Sequence, residues 1–406
     1  VTRTHDETPV AASRVGSTAT ATATATAKTR TRGNSLHSGR TDVVDHGAPF
    51  GPGAGAPRGI DFGGRTYAVR FGRFSNLHRH RAVIVCGAIV VAILALGVVS
   101  LGSGTLALSP GEVLAALFDA DASRAHRLVV FEWRLPRFLF AVLAGLALGA
   151  SGAIFQSITR NPLGSPDIIG FSTGSYTGAI IVMLWIGSTS YSAIGAGALL
   201  GGAAVAVVVY LLAYRKGLRP FRLIIVGIGA SAMLASVNSL MMMRVSQEEA
   251  MLAAVWGSGS LSALGYAQLL PATLIFAALI VGCGFLGRPL AALEVGDDAA
   301  LSLGVHANRT RAFSTLVGVA LTALVTAAAG PIAFISLAAP QIARRLTNGA
   351  SLQLLPSALV GALLLVAADL VAQMVDLPVG VLTVCVGGIY LAWLLVHEQV
   401  TKKGRQ

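Results

Sequence analysis

Residues 82–101 are twenty consecutive positions without a charge. At a 1.5 Å rise each, a helix over them is about 30 Å long, the thickness of a bilayer's hydrocarbon core. Nine further apolar runs follow, at 137–158, 167–187, 192–213, 222–243, 266–287, 312–329, 331–346, 353–375 and 378–397. The pattern predicts an all-α integral membrane protein of about ten transmembrane helices. The run 331–346 is short for a full crossing and is expected to be partial or broken. Between the first two runs, Ser109-Pro110-Gly111-Glu112 reads as a capping box with proline at the first helical position, so a short helix should run to about Phe118.

Residues 1–75 look different. Residues 18–27 alternate Ala and Thr, and Gly/Pro-rich and basic stretches follow without apolar periodicity. This segment is expected to be a disordered, low-complexity tail. It is not expected to be a secretory signal, because no apolar stretch precedes Ala82. The domain reading is therefore a tail over 1–75, a ten-helix membrane domain over 76–400 and a short basic tail over 401–406.

Composition agrees with a membrane protein. The chain of 406 residues is 54% hydrophobic and 12% charged, against roughly 25% charged in soluble domains. Its formal charge of +12 would also suit a nucleic-acid binder, but the basic residues follow the loops. After the first run, loops on the N-terminal side hold Arg160, Arg215, Lys216, Arg219, Arg222, Arg288, Arg309, Arg311, Arg344, Arg345, Lys402, Lys403 and Arg405. Loops on the other side hold Arg124, Arg127, Arg134, Arg137 and Arg244. The positive-inside rule then predicts a cytoplasmic membrane protein with both termini in the cytoplasm and no role for nucleic acid. Cys86, Cys283 and Cys385 each sit in an apolar run and are expected to be core hydrophobes.

Candidate chemistry is sparse. No phosphate-binding Gly-x4-Gly-Lys-Ser/Thr pattern and no zinc-type His/Cys cluster occurs, so the chain is not expected to be an enzyme. Glycines recur every fourth residue at Gly145 and Gly149 and at Gly170, Gly174 and Gly178. Each set shares a helix face, which suits close packing or a substrate path. Asp369 is the acidic residue well inside an apolar run; it calls for function or for a hydrogen bond to a neighbouring helix. Gln156 and Asn238 are read as structural. In the loop 289–310, Asp297 is a reasonable N-cap and Gly304 a reasonable stop for a short helix. Such a helix fits either a docking knob or a resting place on the bilayer surface.

Several longer motifs carry a resemblance. These are Arg134-Leu135-Pro136-Arg137, Gly152-Ala153-Ile154-Phe155-Gln156, and the stretch from Arg160-Asn161-Pro162-Leu163 to Gly170. Further matches are Gly330-Pro331-Ile332-Ala333-Phe334-Ile335-Ser336 and Leu377-Pro378-Val379-Gly380. Together they resemble the iron–siderophore and vitamin B12 permease family of ABC importers, across roughly residues 80–400. The ending Gly387-Gly388-Ile389-Tyr390-Leu391-Ala392-Trp393 is most similar to ferric-enterobactin-type permeases.

The resemblance implies a ten-span permease paired with a second permease subunit, an ATPase dimer below and an extracytoplasmic siderophore-binding protein above. ATP and magnesium would be bound by the ATPase chains, and no cofactor by this one. Arg134 and Arg137 would meet acidic residues of the binding protein. Gly296, Asp297, Asp298, Ala299, Leu303 and Gly304 would form the coupling helix that enters the ATPase. Asn161, Pro162, Leu163, Pro220 and Phe221 would line the cytoplasmic gate.

Two positions depart from the B12 importer's pattern. Gln373 stands where a further docking arginine is expected, and Pro220 and Phe221 stand where small hydroxyl residues are expected. Both departures suit a heterodimer. The rival readings are a secondary transporter driven by an ion gradient, which would need more buried ionisable groups, and a non-transporting membrane scaffold.

Overall fold

The computed structural model describes the backbone of residues 66–71, 74–104, 106–119, 123–167, 169–214, 220–349 and 353–403. Most of the tail predicted to be disordered therefore lies outside the described residues. Its last part differs from the expectation, because β1 (Thr66–Phe71) pairs antiparallel with β2 (Phe74–Arg79) in the register Thr66↔Arg79 to Phe71↔Phe74. Tyr67, Val69, Phe71 and Phe74 are residue types that favour extended backbone, a signal outweighed in the sequence reading by the basic, Gly-rich surroundings.

Among the described residues, the regular elements after the hairpin are all helices. Seven helices among the described residues, alone or continued by the turns before them, are long and apolar enough to cross a bilayer. They are α1 (His80–Gly102), α4 (Leu135–Thr159), α6 (Tyr191–Ala213), α7 (Pro220–Met242), α9 (Tyr266–Val295), α11 (Ala307–Ala329) and α13 (Leu354–Val375). α4 is extended at its start by α3 (Arg124–Leu128) and a π-helical stretch over Val129–Arg134. The three remaining predicted spans are helices of another kind. α5 (Phe171–Ile180) continues as a π-helical turn over Ile181–Trp185, α12 (Ile335–Thr347) has 13 residues, and α14 (Val379–Lys403) carries its apolar stretch over Val379–Tyr390.

The broken run has a local cause. Gly330 and Phe334 both adopt positive φ, at 74° and 68°, so the chain leaves α11 and turns before helix resumes at Ile335. At 1.5 Å per residue, α12 then reaches only about 20 Å, short of a full crossing.

The connecting helices α2 (Pro110–Phe118) and α8 (Gln247–Gly257) both begin with capping boxes. In α2 the Ser109 hydroxyl accepts from the Glu112 backbone N–H while the Glu112 carboxylate accepts from Ser109. These bonds, the backbone N–H of Ser109 first, hold Glu112 below its ordinary pKa. A depressed folded-state pKa means the box contributes fully above the unfolded carboxylate value and is lost as pH falls through the folded one. Amide protection over α2, taken relative to the intrinsic exchange rate at each pH, is accordingly expected to fall in acid, and Ser109→Ala to remove that pH dependence.

α4 is the central element. It packs against α13, α11, α12 and α9 and is buried over most of its length. Gly145 and Gly149 face α13, where added Cβ atoms would fall on the backbone at Gly361, Ala362 and Ser357. Gly152 faces α12, where a Cβ would fall on the Ser336 carbonyl. Gly174 and Gly178 of α5 pack in the same way against Gly201 and Gly197 of α6. The fourth-residue glycine spacing is thus a set of backbone-to-backbone contacts. α1, α6, α7 and α9 are exposed over most of their apolar surface. Of the cysteines, Cys283 is buried as expected, but Cys86 is only partly covered and Cys385 is exposed.

Candidate functional site

α4 carries a charged cluster at each end. Arg137 and Arg160 are 23 positions apart, or about 34 Å of helix. At the first end, the Arg137 guanidinium donates to both Asp369 carboxylate oxygens, Nη2 at 2.8 Å and Nε at 3.0 Å. Asp369 is 2% exposed. It also accepts from Gln373 one turn along α13, at 2.8 Å, and Gln373 reaches the Ser100 hydroxyl of α1. An isolated carboxylate at that depth would be costly, and a bidentate arginine with an amide offsets the cost. Of the two alternatives for Asp369, the bond to a neighbouring helix is the arrangement present.

Arg134 sits beside this pair with different partners. Its guanidinium donates to the Leu101 and Leu106 carbonyls at 2.7 and 2.6 Å. These are carbonyls at and just beyond the C-terminal end of α1, where a cation is favoured. Arg134 and Arg137, paired by motif, are therefore held differently: one against a carboxylate, the other against neutral carbonyls.

At the far end of α4 the chain turns sharply. Arg160 caps the helix in the left-handed conformation, φ 49°, with its N–H bonded to the Gln156 and Ser157 carbonyls. The Asn161 side chain accepts from the Leu163 backbone N–H at 2.9 Å, which fixes the turn locally. Arg160 then reaches across to the α9–α11 connection, donating to the Leu293 carbonyl at 2.8 Å and to Asp297 at 2.5 Å.

Asp297 opens α10 (Asp297–Ser302). The predicted N-cap role is corrected here: Gly296, with φ 151°, is the capping residue, and no side chain caps the helix. The Asp297 carboxylate is instead engaged by two guanidiniums, since Arg311 of α11 also donates to both its oxygens at 2.7 and 3.0 Å. Arg311, 4% exposed, comes first among the influences that hold Asp297 below the ordinary carboxylate range, ahead of Arg160.

Gly304 ends α10 as predicted. It adopts φ 78°, with Val305 N–H bonded to Ala300 O and Gly304 N–H to Leu301 O, a Schellman closure. Asp298, Leu301 and Leu303 are exposed, Ala299 is half-buried and Ala300 is buried. α10 is thus pinned by its first residue and presents its outward side chains freely. Of the predicted gate positions, Asn161, Pro162 and Leu163 adjoin this cluster, whereas Phe221 lies exposed at the start of α7.

A cavity of about 600 Å³ opens between α5, α7, the end of α8 at Gly257 and the α11–α12 connection at Pro331. Ser172, Thr173, Tyr176, Asn238 and Ser239 give it an uncharged, hydrogen-bonding wall. Tyr176 stacks on Trp256 with ring centroids 6.4 Å apart. Asn238 was expected to be structural, yet its Oδ1 is buried without a hydrogen-bond partner and the residue lines the cavity. Gln156, by contrast, is structural: it donates to Leu337 O of α12 and accepts from Gln341. Sequence reasoning missed the cavity because its residues come from four separate segments and none is charged. Next to it, Asp167 is half-buried and accepts from the hydroxyls of Ser172 and Ser336, joining the cavity wall to the first turn of α12. Among the described residues, no three His, Cys, Asp or Glu side chains come together as metal ligands.

Comparison with known proteins adds a family. The FecCD transport family model matches residues 91–397. The chain is 47% identical over 326 residues to the ferric enterobactin transport system permease protein FepG of Escherichia coli (strain K12), covering 79% of this chain and 98% of that one. It is 36% identical over 318 residues to the Fe(3+)-citrate import system permease protein YfmE of Bacillus subtilis (strain 168), covering 76% and 94%. Among solved structures, an inward-facing transporter assigned to the metal-chelate ABC type superimposes with a TM-score of 0.69 at 26% identity, covering 78% of this chain and 99% of that one.

Proposed function

Because this chain belongs to the FecCD transport family, we propose that it is the membrane-spanning permease subunit of an ATP-driven importer whose cargo is a ferric siderophore complex. The observation that carries this reading is the 47% identity over nearly the whole length of a ferric enterobactin permease. The helical architecture, the pinned α10 and the uncharged cavity support it.

Ten crossings are the reading that places both chain ends in the cytoplasm, with α5, the broken α12 and α14 joining the seven longer helices. A second permease subunit of the same family completes the path, and the exposed apolar length of α7 suits such a neighbour. ATP is hydrolysed on two partner ATPases. The binding protein docks at the Arg134 end of α4. Arg134 keeps its net positive charge there, because its partners are neutral carbonyls, whereas Arg137 is neutralised by Asp369 and serves to position that surface. α10 enters a cleft of the ATPase with Asp298, Leu301 and Leu303 outward. The chelate crosses past the neutral hydroxyl and amide groups of the cavity, where weak, replaceable hydrogen bonds let it enter and leave.

The test is uptake of a radiolabelled ferric siderophore by vesicles containing the purified complex. Uptake is expected to require ATP and to persist when ionophores collapse the ion gradients. Uptake that follows the gradient and ignores ATP would overturn the importer reading in favour of a secondary transporter. Asp298→Arg and Gly304→Trp are expected to prevent ATPase co-purification while the permease still inserts. Co-purification at the wild-type level would remove α10 as the docking element.

A further inference from the structure

We propose that Asp297 is a positioning residue that fastens the ATPase-facing helix α10 to the turn at Asn161, Pro162 and Leu163, so that movement of α10 reaches the path through Arg160. This rests on the importer reading above and adds to it a specific joint.

α10 is a six-residue element that packs mainly on the end of α9. Its described side-chain bonds to other helices all pass through Asp297. On one side Asp297 holds Arg160, the last residue before the turn. On the other it holds Arg311, whose guanidinium is buried and whose Nε has no partner of its own. Without the carboxylate, two guanidiniums would face each other across the gap, one of them buried.

The turn itself is stiff. Arg160 is in the left-handed conformation, the Asn161 side chain closes on Leu163 N–H, and Gly164 is packed so tightly that a Cβ would fall on the Thr159 hydroxyl. Arg160 also holds the Leu293 carbonyl, and Ser157 of α4 holds Glu294 at 2.5 Å. A displacement of α10 therefore pulls on a rigid segment rather than being absorbed by a loose loop. Coupling between distant sites requires such a contiguous, discrete contact.

The experiment uses the complete importer in proteoliposomes, with its binding protein and ATPases, and measures ferric siderophore taken up per ATP hydrolysed. Asp297→Asn keeps the side-chain shape and removes the charge. It is expected to lower the ratio about tenfold. Arg160→Met, which leaves the Asp297–Arg311 pair intact, is expected to do the same. The two combined should be no worse than Asp297→Asn alone, because both act on one joint. Asp297→Glu should preserve the ratio.

An unchanged ratio in Asp297→Asn, or defects that multiply in the double variant, would overturn the proposal. Should Asp297→Asn fail to accumulate, Arg160→Met alone decides, an unchanged ratio again counting against it. A wild-type complex that hydrolyses ATP without moving a ferric chelate would instead undo the importer reading itself.

Discussion

Asp369→Ala is expected to destabilise the membrane domain by about 3 kcal/mol, the cost of leaving a largely buried guanidinium without its counter-charge. The figure sits at the lower end of the range because the Arg137 side chain keeps 20% of its exposure and can recover some hydration. The loss has two parts. Arg137 gives up a bidentate bond, and Gln373 loses the acceptor that holds it between α13 and Ser100. Asp369→Asn should cost less, since an amide still accepts one bond. The informative variant is the double replacement Arg137→Met with Asp369→Leu. Apolar side chains of similar volume remove both desolvation penalties, so stability should recover most of the way. Thermal unfolding of the detergent-purified complex measures all three. A double variant as unstable as Asp369→Ala alone would mean that the pair's value lies in something other than charge compensation.

Gly152→Val is expected to be still more disruptive, at about 3 kcal/mol or more, the upper part of the overpacking range. A Cβ on Gly152 would occupy the position of the Ser336 carbonyl oxygen, and backbone cannot rotate out of the way as a side chain can. α4 and α12 would have to separate. That would break the Gln156 bonds to Leu337 and Gln341 and shift Ser336 off Asp167. The protein should be lost from the membrane, or be recovered with uptake abolished. Gly111→Ala serves as the reference, because a Cβ there meets nothing within 4 Å. Normal accumulation and transport with Gly152→Val would show that the α4–α12 contact is looser than described.

The same two cases show what was legible in the chain. Helix positions were, because twenty apolar residues in a row have few other uses; α6, α9 and α13 begin within one residue of their expected starts. Capping at Ser109 and the stop at Gly304 were legible because each is a local geometry with its own residue type. The glycine faces were legible as faces, though not as to what they met. Asp369 stood out as costly, but its counter-charge lies 232 residues earlier, and no periodicity points that far. Asp297 misled for the opposite reason. An acidic residue before an amphipathic stretch fits an N-cap, and only the fold shows Arg160 and Arg311 arriving from two other helices. The residues of the cavity gave no signal, because a serine or asparagine reads alike whether it faces a path or a neighbour.

α4 also has a mechanical consequence. It is straight-packed by glycine contacts along its middle and clamped by ions at both ends, so it has little room to bend and behaves as a stiff lever. A tilt of about 5° around its midpoint would carry each end some 1.5 Å in opposite directions, given a length of about 34 Å. On the importer reading proposed above, small strokes at the Arg160 end would then be felt at the Arg137 end, with their sense reversed. Spin labels or fluorophores placed near Arg137 and near Arg160, each referred to a fixed point on α6, which is not among the helices that α4 packs on, should therefore report displacements of opposite sign in a single turnover.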